Sequence, residues 1–338
     1  DAAVAAGVLD AATRERLVLF ARDLKRGTAG ADEEQFRLLT GFNDIFAAIA
    51  IGLLLVAVAG VAAQASQLAA VLAIAGVSWA LAEFFTRQRR MALPSILLLL
   101  SFVGAVLAAT LIGLSGAAII APGRVDTLVL VAACLAAVGA AALHWRRFRV
   151  PITIAAAAGA ASLAVVGTAG GVIGPAFGLV GVDVTPVLFL ICGVGVFTLA
   201  MWYDGRDPAR VSRRSDVAFW LHLLAAPMLV HPLFTGTGLA SSSSPFGATI
   251  TVVAFGLITL VALAIDRRAL IVSALGYAIF AVQALVGQGG ATAAVSSNGL
   301  LIIGLVLVFL SAAWRPSRAL LLRRLPQGWR ASLPHAVV

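Results

Sequence analysis

The sequence predicts an all-α fold: a polytopic membrane helix bundle of about ten transmembrane helices with both termini cytoplasmic. Three observations carry that prediction. The 338 residues are 61% hydrophobic and only 12% charged, with a mean hydropathy of +1.04, whereas soluble domains are roughly 25% charged. Apolar runs recur along the whole chain at roughly the 20 residues that an α-helix needs to cross a hydrocarbon core of about 30 Å. Finally, 23 of the 24 Lys and Arg residues fall in the terminal segments and in alternate connections, leaving only Arg124 for the other side. Cationic connections stay on the cytoplasmic face, so this alternation requires an even number of spans.

The chain divides into a short cytoplasmic helical segment, 1–42, a ten-span domain, 43–315, and a basic amphipathic tail, 316–338. In "LDAATRERLVLFARDLKR" Asp10 is placed to cap a helix on which Leu17, Phe20, Ala21 and Leu24 recur at helical spacing. A second short helix is expected from Asp32 in "DEEQFRLLTGF". The mixed charge of these first forty residues is unlike a cleavable signal peptide. Spans are expected at 43–63, 67–86, 92–113, 125–145, 150–170, 186–204, 216–235, 248–266, 268–287 and 299–315.

The inner connections carry arginine clusters such as "RQRR" and "HWRRFR", while the outer ones are short, nearly uncharged and rich in Gly and Ser. Residues 170–185 are both Gly-rich and apolar. They read as a hairpin loop, or as a re-entrant element if protein or a water-filled cavity covers their backbone. In the tail, Arg315, Arg318, Arg323, Arg324 and Trp329 alternate with leucines and are expected to touch anionic lipid headgroups.

A net charge of +9 and a pI near 11.2 would suit nucleic acid, but the arginines follow membrane topology instead, so no nucleic-acid partner is expected. Cys134 and Cys192 fall inside spans and form no metal or disulfide pattern. No phosphate-binding loop, dinucleotide fingerprint, zinc-protease helix or nucleophile elbow occurs. The expectation is a chain that is not an enzyme, with no cofactor and no metal.

Ionisable groups inside spans are rare and functional by default, which singles out "DVAFWLHLLAAPMLVHPLF" at 216–234. His222 lies about 9 Å along the helix from Asp216, and His231 is nine residues further. Pro227 between them removes a hydrogen bond to the carbonyl of Leu223 and is expected to kink the helix. The competing reading has His222 bonded to a neighbouring helix and His231 wet at the outer interface. Glu83 precedes Arg87 by four residues and reads as a local ion pair or, failing that, a coupling carboxylate. Asp44 reads as a helix cap, and Asp204 and Asp266 as interfacial. Gln283 could line a cavity. Ala156, Ala160 and Ala164 form a small-residue stripe that calls for tight packing of spans four and five, or for a homo-oligomer.

The even-numbered spans end alike, in "AEFFTRQRRMALPS", "ALHWRRFRVPIT", "ALAIDRRALIVS" and "SAAWRPSRALLL", as aromatic and Arg anchors or as the trace of a duplicated hairpin or of two five-span halves. "AAGVLDAATRERLVLFARDL" and "SWALAEFFTRQRRMALPSILLLLSFVGA" together resemble a bacterial family of uncharacterised multi-pass membrane proteins. Its members place a short cytoplasmic helix segment before Ala/Leu/Gly-rich spans with Arg-rich inner turns. The resemblance implies the helical bundle and no activity. Drug/metabolite transporters share the ten-span plan but not the sequence patterns, so that link is one of architecture.

Two functional expectations follow for a chain of the bacterial inner membrane. The favoured one is a secondary transporter for a small solute, with proton coupling through His222 as an option, His231 as outer relay and Glu83 and Gln283 in the cavity. It requires His222 to face the bundle interior beside a water-accessible cavity. The alternative is a non-catalytic membrane subunit, assembly factor or scaffold of a larger complex.

Overall fold

The computed structural model describes residues 7, 10–28, 42–115, 127–170, 184–207, 212–236, 245–286, 297–326 and 328, and every regular element among them is helical. The order is α1 (Ala11–Thr28), α2 (Phe42–Ala63), α3 (Gln67–Ala82) continued by a π-helical turn Glu83–Gln88, α4 (Ala92–Ser115), α5 (Thr127–Phe148) and α6 (Ile152–Thr168). Then come α7 (Thr185–Gly205), α8 (Arg213–Gly236), α9 (Pro245–Ile265), α10 (Ala269–Val286), α11 (Ser297–Ala312) and α12 (Trp314–Arg324). The expected second helix from Asp32 and nearly all of 170–185 lie outside the described residues.

Each expected span overlaps one of α2 to α11. Seven helices are long and apolar enough to cross a membrane, or eight if α11 and α12, bent by 73°, count as one span. The apolar stretches Ile152–Thr168 and Leu270–Ile279 are shorter. At 1.5 Å per residue the 17 residues of α6 rise about 26 Å, a few Å less than the hydrocarbon core, so flanking residues or local thinning must make up the difference. The described chain is thus all-α and compatible with a multi-pass membrane protein.

The helices pack mostly with their sequence neighbours, and α8 makes the most extensive packing beyond its own neighbours. It runs against α7 along its length and also meets α6 and α10. In its spanning window 56% of residues are buried, against 17–33% in the other six. On one side Ala155 of α6, Val196 and Ala200 of α7 and Val217, Leu221 and Ala225 of α8 form one core. On the other, Ala226 packs with Ala262 and Leu263 of α9 and Leu270 and Ile271 of α10. Small residues let these backbones approach. Ala160 and Ala164 of the expected stripe are buried, and Gly159 faces Leu224 of α8.

Three of the arginine-bearing turns share one device. Arg90, Arg149 and Asp266 have φ of 54°, 53° and 59°, a left-handed conformation that ordinarily favours glycine and costs a side chain on the order of 1–2 kcal/mol. Each ends a helix. The Arg267 amide donates back to Ala262 O at 2.9 Å, and the Met91 amide to Phe85 O at 3.1 Å. The residue that follows each one, Met91, Val150 or Arg267, is turned inward and buried.

Asp10 does cap α1. It accepts the Thr13 amide at 2.7 Å and the Thr13 hydroxyl at 2.6 Å, and the hydroxyl bond above all holds its carboxyl below the ordinary 3.8. A depressed carboxyl stabilises the cap above that ordinary value and loses its effect as the pH falls through the folded value. Protection of the Thr13 amide from hydrogen exchange, corrected for intrinsic rate, should therefore be flat at neutral pH and fall on strong acidification.

A Cβ on Gly193 would lie 3.0 Å from both the backbone carbon and the Cβ of Met228, so α7 and α8 touch there through glycine. Gly193→Leu should overpack that contact by about 1–3 kcal/mol or more, read as a lowered thermal midpoint in detergent. Gly195→Leu, where a Cβ would meet nothing within 4 Å, should leave the midpoint nearly unchanged.

Candidate functional site

Where α7 ends, Asp204 faces the bundle and not the interface; it is 4% exposed. The close approach at Gly193 brings α8 alongside, and His222, fully buried, donates Nε2–H to Asp204 Oδ2 at 3.0 Å. The third member arrives from the α9–α10 turn, because left-handed Asp266 aims the next side chain inward. Arg267 donates Nε–H to Oδ2 at 3.2 Å and Nη2–H to Oδ1 at 2.5 Å. This is the paired fork that guanidinium and carboxylate geometry favours.

Both carboxylate oxygens are occupied, and the Arg267 guanidinium compensates the Asp204 charge. Phe197 closes it edge-on against the His222 ring, with centroids 5.3 Å apart. Chemically this is a closed, charge-compensated clamp of three elements, able to exchange a proton or an anion only if the fork opens.

Other polar links lie at the same arginine-bearing ends. Asp44, expected as a helix cap, is buried in the first turn of α2 and accepts the Ala92 amide at the start of α4 at 3.2 Å. Asp266, also buried, accepts the Trp314 indole N–H at 2.8 Å, with the Arg318 guanidinium 3.8 Å away. Glu83 meets Arg87 at 3.3 Å, but its closer partner is Arg147 of α5, through Nε at 2.7 Å and Nη2 at 2.9 Å.

The residues singled out in α8 are not brought together. His222 faces the interior, whereas Pro227 and His231 are exposed. His231 Nδ1 and the Tyr277 hydroxyl of α10 are hydrogen-bonded, and the Tyr277 ring stacks on Phe234 with centroids 4.5 Å apart. The helix continues from Arg213 to Gly236 through both prolines. The side chain of Gln283 and all of Trp329 lie outside the described residues. On α12, Arg315, Arg323 and Arg324 are exposed, but Arg318 is 3% exposed and turned to Asp266, away from any headgroup.

Sequence reasoning read Asp204 as interfacial and singled out neither Arg267 nor His144. His144 is fully buried, with neither ring nitrogen hydrogen-bonded. It is enclosed by Trp79 at 6.2 Å, Phe102 at 6.1 Å and Phe148 at 4.6 Å. Among the described residues no three His, Cys, Asp or Glu side chains are grouped to hold a metal ion. Cys134 and Cys192 are free thiols.

The described residues define an all-α bundle, compatible with a multi-pass membrane protein, in which a buried Asp–His–Arg cluster joins α7, α8 and the α9–α10 turn. Comparison with known proteins found no matching family profile, no matching curated protein and no matching solved structure.

Removing one partner of a buried ion pair leaves an uncompensated charge at about 3–5 kcal/mol, while removing both costs far less. Asp204→Ala should accordingly lower the thermal midpoint sharply. Asp204→Ala/Arg267→Met should recover most of the loss, and His222→Ala should cost less than Asp204→Ala. Additive losses in this cycle would mean the fork contributes no coupling.

Proposed function

We propose that this chain is a ten-span protein of the bacterial inner membrane, with cytoplasmic termini, acting as a non-catalytic subunit or scaffold of a larger membrane complex. The observation behind this reading is the closure of the Asp204–His222–Arg267 cluster. Three N–H donors occupy the carboxylate, and all three residues are at most 4% exposed. A coupling site for a moving solute needs an open ligand position beside its titratable group. Here His222 donates to an acceptor already held in an arginine fork. Pro227 and His231, which a path along α8 would also require, are exposed. Glu83 is committed to Arg147 and Arg87 at the end of α3. The ten-span count rests on the alternation of arginine-bearing connections and on the ten apolar helices that match it.

The test uses the purified full chain. In proteoliposomes it should pass protons no faster than protein-free vesicles, with or without His222→Ala. The chromosomally tagged chain, extracted gently, should weigh more by native mass spectrometry than any homo-oligomer of itself, with a companion chain in fixed stoichiometry. Proton flux above the vesicle background that His222→Ala abolishes would overturn the reading in favour of transport.

A further inference from the structure

The Glu83–Arg147 fork has a second consequence, because it sets two arginine-bearing turns side by side. Arg87, Arg89 and Arg90 stand on the turn between α3 and α4, and Arg146, Arg147 and Arg149 at the end of α5 and the turn into α6. All six are exposed. Two carboxylates stand near them. Glu83 is shared by Arg147 and Arg87, and Asp44 is buried and turned to the Ala92 amide. Among the described residues Arg89, Arg90, Arg146 and Arg149 have no carboxylate partner, so the two turns present a concentrated excess of guanidinium. Three residues before Arg87 and Arg146 along their helices, Phe84 is 41% and Leu143 is 54% exposed. Arg89 lies over the Phe84 ring at 5.3 Å.

We propose that these two turns form a seat for the headgroup of an anionic phospholipid. The phosphate is gripped by guanidinium groups from both turns, and the acyl chains lie along Phe84 and Leu143. Guanidinium suits the partner because its planar fork pairs two N–H groups with two phosphate oxygens. Basic pockets between spanning helices at the cytoplasmic surface bind such headgroups. Topology alone asks only that the positive charges lie on one side; it does not require two turns locked together by a carboxylate with exposed apolar side chains beside them. The seat depends on the membrane setting of the helices and not on the scaffold reading.

The experiment is a titration of the delipidated full chain in neutral detergent with phosphatidylglycerol or phosphatidylcholine, adducts being counted by native mass spectrometry. The wild type should retain phosphatidylglycerol in preference. At about a fivefold effect per arginine at an anionic surface, Arg89→Gln/Arg90→Gln/Arg149→Gln should weaken retention by at least an order of magnitude. Arg315→Gln/Arg323→Gln/Arg324→Gln, which removes equal charge from α12, should weaken it far less. Arg89→Lys/Arg90→Lys/Arg149→Lys keeps the charge that sets topology and should fall between wild type and the glutamine variant. Equal losses from both glutamine variants, no preference between the two lipids, or displacement of the lipid by excess inorganic phosphate would each overturn the seat.

Discussion

The fork between Asp204 and Arg267 is the contact on which the second half of the bundle depends. Lipid tails are as apolar as leucine, so hydrophobic burial does little to choose how membrane helices line up against one another. Close packing of small residues sets the distance between helices, and a few polar links set the register. Asp204 ties the end of α7 to α8 through His222 and to the α9–α10 turn through Arg267. Asp266 ties that same turn to the start of α12, Glu83 ties α3 to α5, and Asp44 ties α2 to α4. Each acidic side chain joins elements distant in the chain, and all sit at the arginine-bearing ends. Ionisable groups are easier to hold near the membrane surface than at its centre.

The central position of α8 explains how a helix with two prolines and two histidines persists. Pro227 and Pro232 each remove a backbone hydrogen bond, which lipid cannot replace, but four neighbouring helices cover much of α8. Polar side chains are tolerated in the same way wherever the covering elements bring partners. His144 is the counterexample. Its nitrogens lie unbonded within an aromatic box, and an unsatisfied buried polar group costs about 1–3 kcal/mol. That box lies one turn below the Glu83–Arg147 fork, where Trp79 and Phe148 hold α3 against α5 at 5.1 Å between centroids.

The three left-handed turns give physical content to the similarity between the ends of the even-numbered spans. Arg90, Arg149 and Asp266 occupy equivalent places in "QRRMAL", "RFRVPI" and "AIDRRAL". A helix ends, one residue turns left-handed, and the next is buried. A left-handed residue is a common way to end a helix, and the end of α11 does not repeat it, Ala313 having φ of −96°, so the device is shared by three of the four similar ends. The inward residue then differs by site, Met91 and Val150 being apolar and Arg267 charged. Only the last therefore reaches a carboxylate.

The all-α class and the positions of the long apolar helices were legible in the sequence, because both follow from local quantities. Hydropathy over a window of about 20 residues finds a helix that can cross a bilayer, and the side on which arginines accumulate orders the connections. Asp10 as a cap and the small-residue faces were legible for the same reason: their partners lie within a turn or along one helix. The candidate site was only half legible. His222 stood out because a histidine within an apolar run is unusual on its own, and His231 and Pro227 stood out equally although the structure sets them on exposed positions. Asp204 and Arg267 looked like surface charges, since their 63-residue separation leaves no local trace of the fork between them. Arg318 looked like a headgroup anchor until the bend after Ala312 turned it to Asp266. Composition and charge order thus determined by themselves that the chain forms a bundle of membrane-length helices. Which charges are buried, and what they hold together, was decided only when tertiary packing brought distant helix ends within hydrogen-bond reach.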